Sequence, residues 1–306
     1  MIRARRAILY GLAAVLLWST VATAFKLSLR HLRPLPLLLW SSIVSTLALL
    51  ALLTARRQLG QLARFSGRDW LRSAVYGLIN PFAYYAVLFA AYDRLPAQEA
   101  QPLNYTWAIT LALLSVPLLG QRLRLRTLAA LLVSYGGVVV IATRGDLTGL
   151  RFADPLGVGL ALGSTGLWAL YWILNTRDTR EPVAALAANF LCGTVYILGA
   201  TALSGGLAWP PAAGLAGALW VGCFEMGLTF VLWGAALKLT DSAARVSNLI
   251  FLSPFLSLVL IHVVLGEAIR PSTGVGLVLI VGGLLIQGWG GEGDAGGAPS
   301  RSEVSP

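Results

Sequence analysis

Ten stretches of this chain, most about twenty residues long, are apolar almost without interruption: 7–27, 35–54, 70–92, 96–119, 126–143, 156–175, 183–203, 212–237, 241–265 and 271–289. A soluble fold cannot bury ten such stretches, whereas ~20 apolar residues carry one helix across a bilayer. Lipid offers the backbone no hydrogen-bond partners, so only helices and closed barrels cross it. Barrel strands alternate apolar and polar residues at period two, and these runs do not. The expected fold class is an all-α polytopic membrane protein with ten transmembrane helices. Charged residues make up only 12% of the 306, too few to cover a soluble globule of that size. The tail, 290–306, is rich in Gly, Ser, Pro and acids and reads as a disordered cytoplasmic segment.

The formal net charge is +10. In a soluble protein that would point to nucleic acid, but most of these cations lie between the apolar runs, where they set topology. With the amino terminus inside, fifteen Lys and Arg fall on cytoplasmic segments and seven on outer ones. Both termini are therefore expected in the cytoplasm, with no nucleic-acid partner. The opening MIRARR and the small residues Ala22-Thr23-Ala24 also fit a signal peptide, but cleavage there would destroy the repeat described next. Cys192 and Cys223 lie inside apolar runs and read as packing residues.

The halves resemble each other at an offset of about 145–150 residues. Gly120, Arg124, Thr127, Leu131, Gly136 and Gly137 align with Gly266, Arg270, Thr273, Leu277, Gly282 and Gly283. Gly77 pairs with Gly222, Ala90-Ala91 with Ala235-Ala236, and Leu17-Trp18 with Leu167-Trp168. The order of these matches along both halves marks an internal repeat. Five spans per half is odd, so the second half must enter the membrane from the opposite side. That predicts two inverted five-helix repeats, 1–146 and 147–289, around a central cavity near the bilayer midplane.

Several segments carry a family resemblance: LLWSTVATAFK at Leu16–Lys26, GLWALYWIL at Gly166–Leu174, and LSPFLSLVLIHVVLGEAI at Leu252–Ile269 with the glycine pair that follows. With them the chain resembles the drug/metabolite transporter superfamily in its ten-helix EamA form. The stretch EAQPLNYTWAITLALLSVPLLGQ at Glu99–Gln121 is similar to the YddG-like aromatic amino acid exporters. Departures fall in the first half. Ala108 stands where the second half has Pro254, and Gln121 where it has Glu267. The second span, PLLLWSSIVS from Pro36, lacks the arginine common in the family. The resemblance implies a secondary transporter in a bacterial inner membrane, exporting small metabolites by alternating access, with aromatic and hydrophobic amino acids favoured. A monomer in the lipid bilayer with a small-molecule substrate is the assembly considered.

Candidate site residues follow from polarity at membrane depth. Glu225 lies near the middle of its span, where an acid costs at least ~2.5–3.5 kcal/mol and must face protein or water. It reads as a contact for a substrate ammonium, a proton-coupling acid, or a structural clasp. Asn80, its repeat partner, precedes Pro81. It reads either as a substrate contact beside a kink or as the group that patches the kink. Gln101, Asn104 and Tyr105 share one helical face, expected to line a cavity. Glu99, one turn earlier, reads as a solvated end residue. Trp18, Tyr84, Tyr85, Trp107, Trp168, Tyr171 and Trp172 are mid-span rings suited to stacking on a planar apolar substrate. Asn248 and Ser247 suggest a second polar lining. Arg245 is expected to snorkel, and His262 to bond at an interface. Gly159 and Gly163 form a GxxxG pair expected to pack helices tightly.

The sequence has no GxxxxGK[ST], no HExxH and no Cys-rich signature, so no built-in ATPase, cofactor or metal is expected. Two readings compete with amino-acid export. Transport of drugs or sugar phosphates by the same superfamily would need, for phosphate, a basic core. An intramembrane enzyme or helical scaffold would need either a positioned nucleophile or no repeat-related polar pair.

Overall fold

A computed structural model of the chain describes residues 2–120, 125–149, 152–239 and 248–288. Ten apolar helical segments appear there, matching the ten runs. They are α1 (Ile2–Ser19 and Val21–Leu29), α2 (Pro34–Ala55), α3 (Gly67–Arg94), α4 (Ala97–Leu119), α5 (Leu125–Ala142), α6 (Pro155–Asn175), α7 (Pro182–Leu203), α8 (Ala212–Trp220 continuing to Leu239), α9 (Asn248–Leu252 continuing to Leu265) and α10 (Pro271–Gly288). The described residues contain no strand. Seven segments are long and apolar enough to cross a membrane, and three more are shorter apolar helices. Ser247, Arg245 and the tail lie outside the described residues.

Three helices are broken where the sequence supplies a cause, and a fourth, α8, is broken as well. At Thr20 in α1 and Thr106 in α4, the hydroxyl donates to the carbonyl three residues back, Leu17 O at 2.7 Å and Leu103 O at 2.8 Å. Such back-bonding competes with the ladder and bends helices. In α3 a π-turn covers Leu78–Ala83, with Asn80 out of helical geometry (φ −142°, ψ 119°) before Pro81, which has no amide hydrogen to donate. In α8 a π-segment covers Val221–Leu228. These two π-segments occupy repeat-related positions, carrying Asn80 and Glu225, and a third, Ile261–Leu265, ends α9.

Helix packing shows the repeat. The pair α1–α8 is matched by α6–α3. Contact of α2 with the π-segment of α8 is matched by α7 with that of α3, and α4–α6 by α9–α1. The pair α5–α10 maps onto itself. Each of these pairs thus recurs five helices on, as a pseudo-two-fold axis requires. Gly120 and Gly266 both end their helices in the left-handed region (φ 69° and 71°), the usual use of glycine past a helix end. The GxxxG expectation is corrected: a Cβ at Gly159 or Gly163 would meet nothing within 4 Å. The tight seams lie elsewhere. A Cβ at Gly77 would strike the Asn189 carbonyl of α7, and one at Gly222 the Ser41 carbonyl of α2.

Polar clasps close both faces. On the face that carries the amino terminus, Arg180 donates to Asp178 Oδ2 at 2.6 Å, to Ser73 Oγ at 2.6 Å and to the Asp69 carbonyl at 2.9 Å. This ties the α6–α7 loop to the start of α3, and the Arg180 and Asp178 side chains are only 6% and 4% exposed. Burial pushes the Asp178 carboxyl up, but the Arg180 hydrogen bonds and the Arg180 and Arg72 charges outweigh it and hold it below the ordinary range. A depressed carboxyl contributes stability above its unfolded pKa and loses it as pH falls through the folded value. Arg180→Gln should therefore cost on the order of 2 kcal/mol at pH 7. Thermal unfolding in detergent should show the gap to wild type narrowing below about pH 4 as Asp178 protonates.

On the opposite face, Glu99 is 1% exposed, so it is not a solvated end residue. It accepts from Arg144 Nε at 2.9 Å and pairs with Arg270. Position in the chain put Glu99 at a helix end, but the α9–α10 loop of the other half folds over it. Gln98 accepts from the Arg270 amide at 2.9 Å and donates to the Ala268 carbonyl at 2.9 Å. Glu267 takes the free amides of Ala97 and Gln98 at the α4 amino terminus, at 3.0 and 3.2 Å. His262 Nδ1 lies 3.0 Å from the Glu267 carbonyl, five residues along the chain.

Candidate functional site

The broken helices surround one cavity of about 120 Å³, several times the ~15 Å³ by which one water is accommodated. The π-segment of α8 delivers Glu225 to its wall. The first piece of α4 delivers Gln101, Asn104 and Tyr105, the single face expected from their spacing. Trp18, Tyr84, Trp107, Trp168 and Trp172 also line it.

Trp168 is the centre of the aromatic lining. It stacks on Tyr84 with ring centroids 4.6 Å apart and on Tyr171 at 5.9 Å. It meets Trp172 edge-on at 5.9 Å and Phe230 at 5.8 Å. Trp18 continues the cluster to Phe230 at 5.9 Å and Trp233 at 5.3 Å. Rings from α1, α3, α6 and α8 therefore brace one another, and all of them but Tyr171 line the cavity.

Polar atoms are few and unevenly satisfied. Glu225 Oε1 accepts from the Tyr85 hydroxyl at 3.3 Å. No Lys, Arg or His nitrogen stands within 4.0 Å of Glu225 among the described residues. Asn104 donates to Ser164 Oγ of α6 at 2.9 Å. Three buried atoms of the lining have no hydrogen-bond partner among the described residues: Glu225 Oε2, Gln101 Oε1 and Trp172 Nε1. Each costs about 1–3 kcal/mol if left dry. Two acceptors and one donor on side chains of one aromatic lining therefore have no partner among the described residues.

Three predicted residues stand behind this wall. Tyr85 is fully buried and acts through Glu225, and Tyr171 backs Trp168. Asn80 is 2% exposed with Oδ1 unpartnered, and does not line the cavity. Asn248 begins α9 in a 3₁₀ turn, and its side chain lies outside what is described. Phe25, Tyr92, Phe230, Trp233, Leu88, Val21 and Ile250 complete the wall and were not singled out. A signal for Trp233 and Phe230 was present: both follow Glu225 on the same span.

The EamA-like transporter family model matches residues 5–143 and again 155–288. An aromatic amino acid exporter, YddG, from Ancylobacter novellus is 27% identical over 92% of this chain and 96% of its own. A probable terminal-alkyne amino-acid exporter from Streptantibioticus cattleyicolor is 30% identical over 79% of this chain and 80% of its own. One solved crystal structure superimposes with a TM-score of 0.66 at 26% identity, covering 92% of this chain and 96% of that one.

Proposed function

Because the chain belongs to the EamA-like transporter family, we propose that it is a secondary transporter that exports amino acids, aromatic and other hydrophobic ones favoured. The observation that carries this reading is the trio of unpartnered atoms in an aromatic cavity. An α-ammonium group would satisfy Glu225 Oε2 and Gln101 Oε1 together. The Trp172 indole N–H would donate to the substrate carboxylate. A side-chain ring would lie against Trp168, Trp18 and Phe230, where ring contacts add ~0.5–1.5 kcal/mol beyond burial. A sugar phosphate is disfavoured because no basic side chain lines the cavity among the described residues.

In this reading the repeats, 1–146 and 147–289, rock about the cavity. Toward the amino-terminal face, the second piece of α4 packs chiefly on α5 and α6, and α8 packs on α1. The cavity lies between those two groups. Toward the other face, the first piece of α4 reaches α1, α3, α5, α6, α9 and α10. Substrate therefore enters from the amino-terminal side, which the charge bias puts in the cytoplasm of a bacterial inner membrane, and a single chain suffices. Purified protein in liposomes loaded with labelled phenylalanine or tryptophan should give protein-dependent efflux. Flux of no amino acid at all would defeat the reading.

A further inference from the structure

We infer that Lys26 forms a second substrate subsite, a carboxylate-receiving cation on the release side of the central cavity. The inference rests on the amino-acid reading above. The central cavity ends at Phe25 and Tyr92, whose rings are 5.2 Å apart and buried. Phe25 also meets Phe89 at 4.7 Å, so these rings pack together on this side. Immediately beyond it, a second cavity of about 570 Å³ opens on the face opposite the amino terminus, and Lys26 is on its wall. Consecutive residues thus line the two spaces, Phe25 the first and Lys26 the second.

Charge pairing singles Lys26 out among the described cations of that cavity. Arg94 is paired with Asp154 at 3.1 Å, and Arg270 with Glu99. Glu267, the one acid in the lining, spends both oxygens on the amides of Ala97 and Gln98. Lys26 donates only to main-chain carbonyls, Tyr92 O at 2.7 Å and Leu95 O at 3.0 Å. No carboxylate oxygen lies within 4.0 Å of it among the described residues. Two neutral acceptors leave one N–H of the ammonium unused, and the acids that act on its charge, Glu267 and Asp93, do so from beyond contact distance. The deep cavity supplies an acid for the substrate's ammonium but no described cation for its carboxylate. The release side holds the complementary charge. When the Phe25–Tyr92 layer parts, a carboxylate leaving Trp172 would meet Lys26 next.

A helix-capping role alone would also explain the two carbonyl contacts, so the test must separate carboxylate recognition from structure. In orientation-sorted liposomes, labelled phenylalanine flux is measured while phenylalanine or phenylalaninamide is added on the release side. The amide keeps the ring and amine and lacks only the carboxylate. Wild type should be half-inhibited by phenylalanine at a concentration at least tenfold below that of the amide. Lys26→Gln should bring the ratio near one, and Lys26→Arg should keep it. A capping role predicts equal losses for both competitors and an unchanged ratio, which would overturn the proposal, as would a ratio near one in wild type. Should Lys26→Gln fail to fold, the wild-type chain decides. It has two lysines, Lys26 and Lys238, so acylation by a membrane-impermeant amine reagent can be mapped to each. Phenylalanine should protect Lys26 several-fold, and equal protection by the amide would count against it. Absence of any wild-type flux would instead remove the amino-acid reading, and this subsite with it.

Discussion

Glu225→Gln should cut amino-acid efflux about 10- to 100-fold while leaving thermal stability equal to or above that of wild type. The magnitude follows from one charge-assisted contact to the substrate ammonium, worth about 1.5–3 kcal/mol. The sign of the stability change follows from the free protein. Glu225 has one hydrogen bond, from Tyr85, and no cation beside it among the described residues. It sits in a wall of rings where an acid is costly, so exchanging it for a neutral amide of the same shape removes a penalty and little support. A residue kept for architecture behaves in the reverse way, losing stability first and activity as a consequence. Glu225→Ala should match the loss of flux. Tyr85→Phe, which removes the one donor to Glu225 among the described residues and stands behind the cavity wall, should reduce flux less than either. Parallel flux and melting measurements on the three variants decide the matter. Full flux in both Glu225 variants would take this residue out of the site.

Much of the architecture could be read directly because lipid simplifies the problem. An uninterrupted apolar run has one fate there, and a repeat of five such runs has only one way to close on itself. The pairing of Asn80 with Glu225 was visible at an offset of 145, and both lie in π-segments. The sequence did not show that these residues would differ in depth, one on the cavity wall and one behind it. Their helix phase is set by the π-segment itself, and its extra residue per turn has no signature in a run of apolar side chains. The same loss of phase hid Phe230 and Trp233. Gln101, Asn104 and Tyr105 were readable because they lie in one unbroken stretch of ordinary helix. Glu99 was misplaced for a different reason. Its burial depends on Arg270 and on the α9–α10 loop, some 170 residues away, which no local pattern reports.

Gly77→Ala and Gly222→Ala should each be among the most damaging single substitutions in the chain, although each adds only one methyl group. The added Cβ at Gly77 would stand against the Asn189 carbonyl and 2.8 Å from the Gly193 nitrogen. At Gly222 it would stand against the Ser41 carbonyl and 2.7 Å from Val44 Cβ. Side chains can rotate away from an intruder, but backbone cannot, so whole helices must separate. Overpacking costs about 1–3 kcal/mol where side chains yield, and these sites should exceed that. Displacing α7 from α3, or α2 from α8, also moves the π-segments that carry Asn80 and Glu225, so transport should fall along with folded yield. Gly159→Ala and Gly163→Ala provide the contrast. They stand in the same kind of helix with nothing within 4 Å of the new methyl, and replacing a mid-helix glycine should gain up to about 1 kcal/mol. Size-exclusion profiles and melting temperatures in detergent should therefore separate the four variants into two pairs. Equal behaviour across all four would mean that α3 and α8 are not held against their neighbours at Gly77 and Gly222.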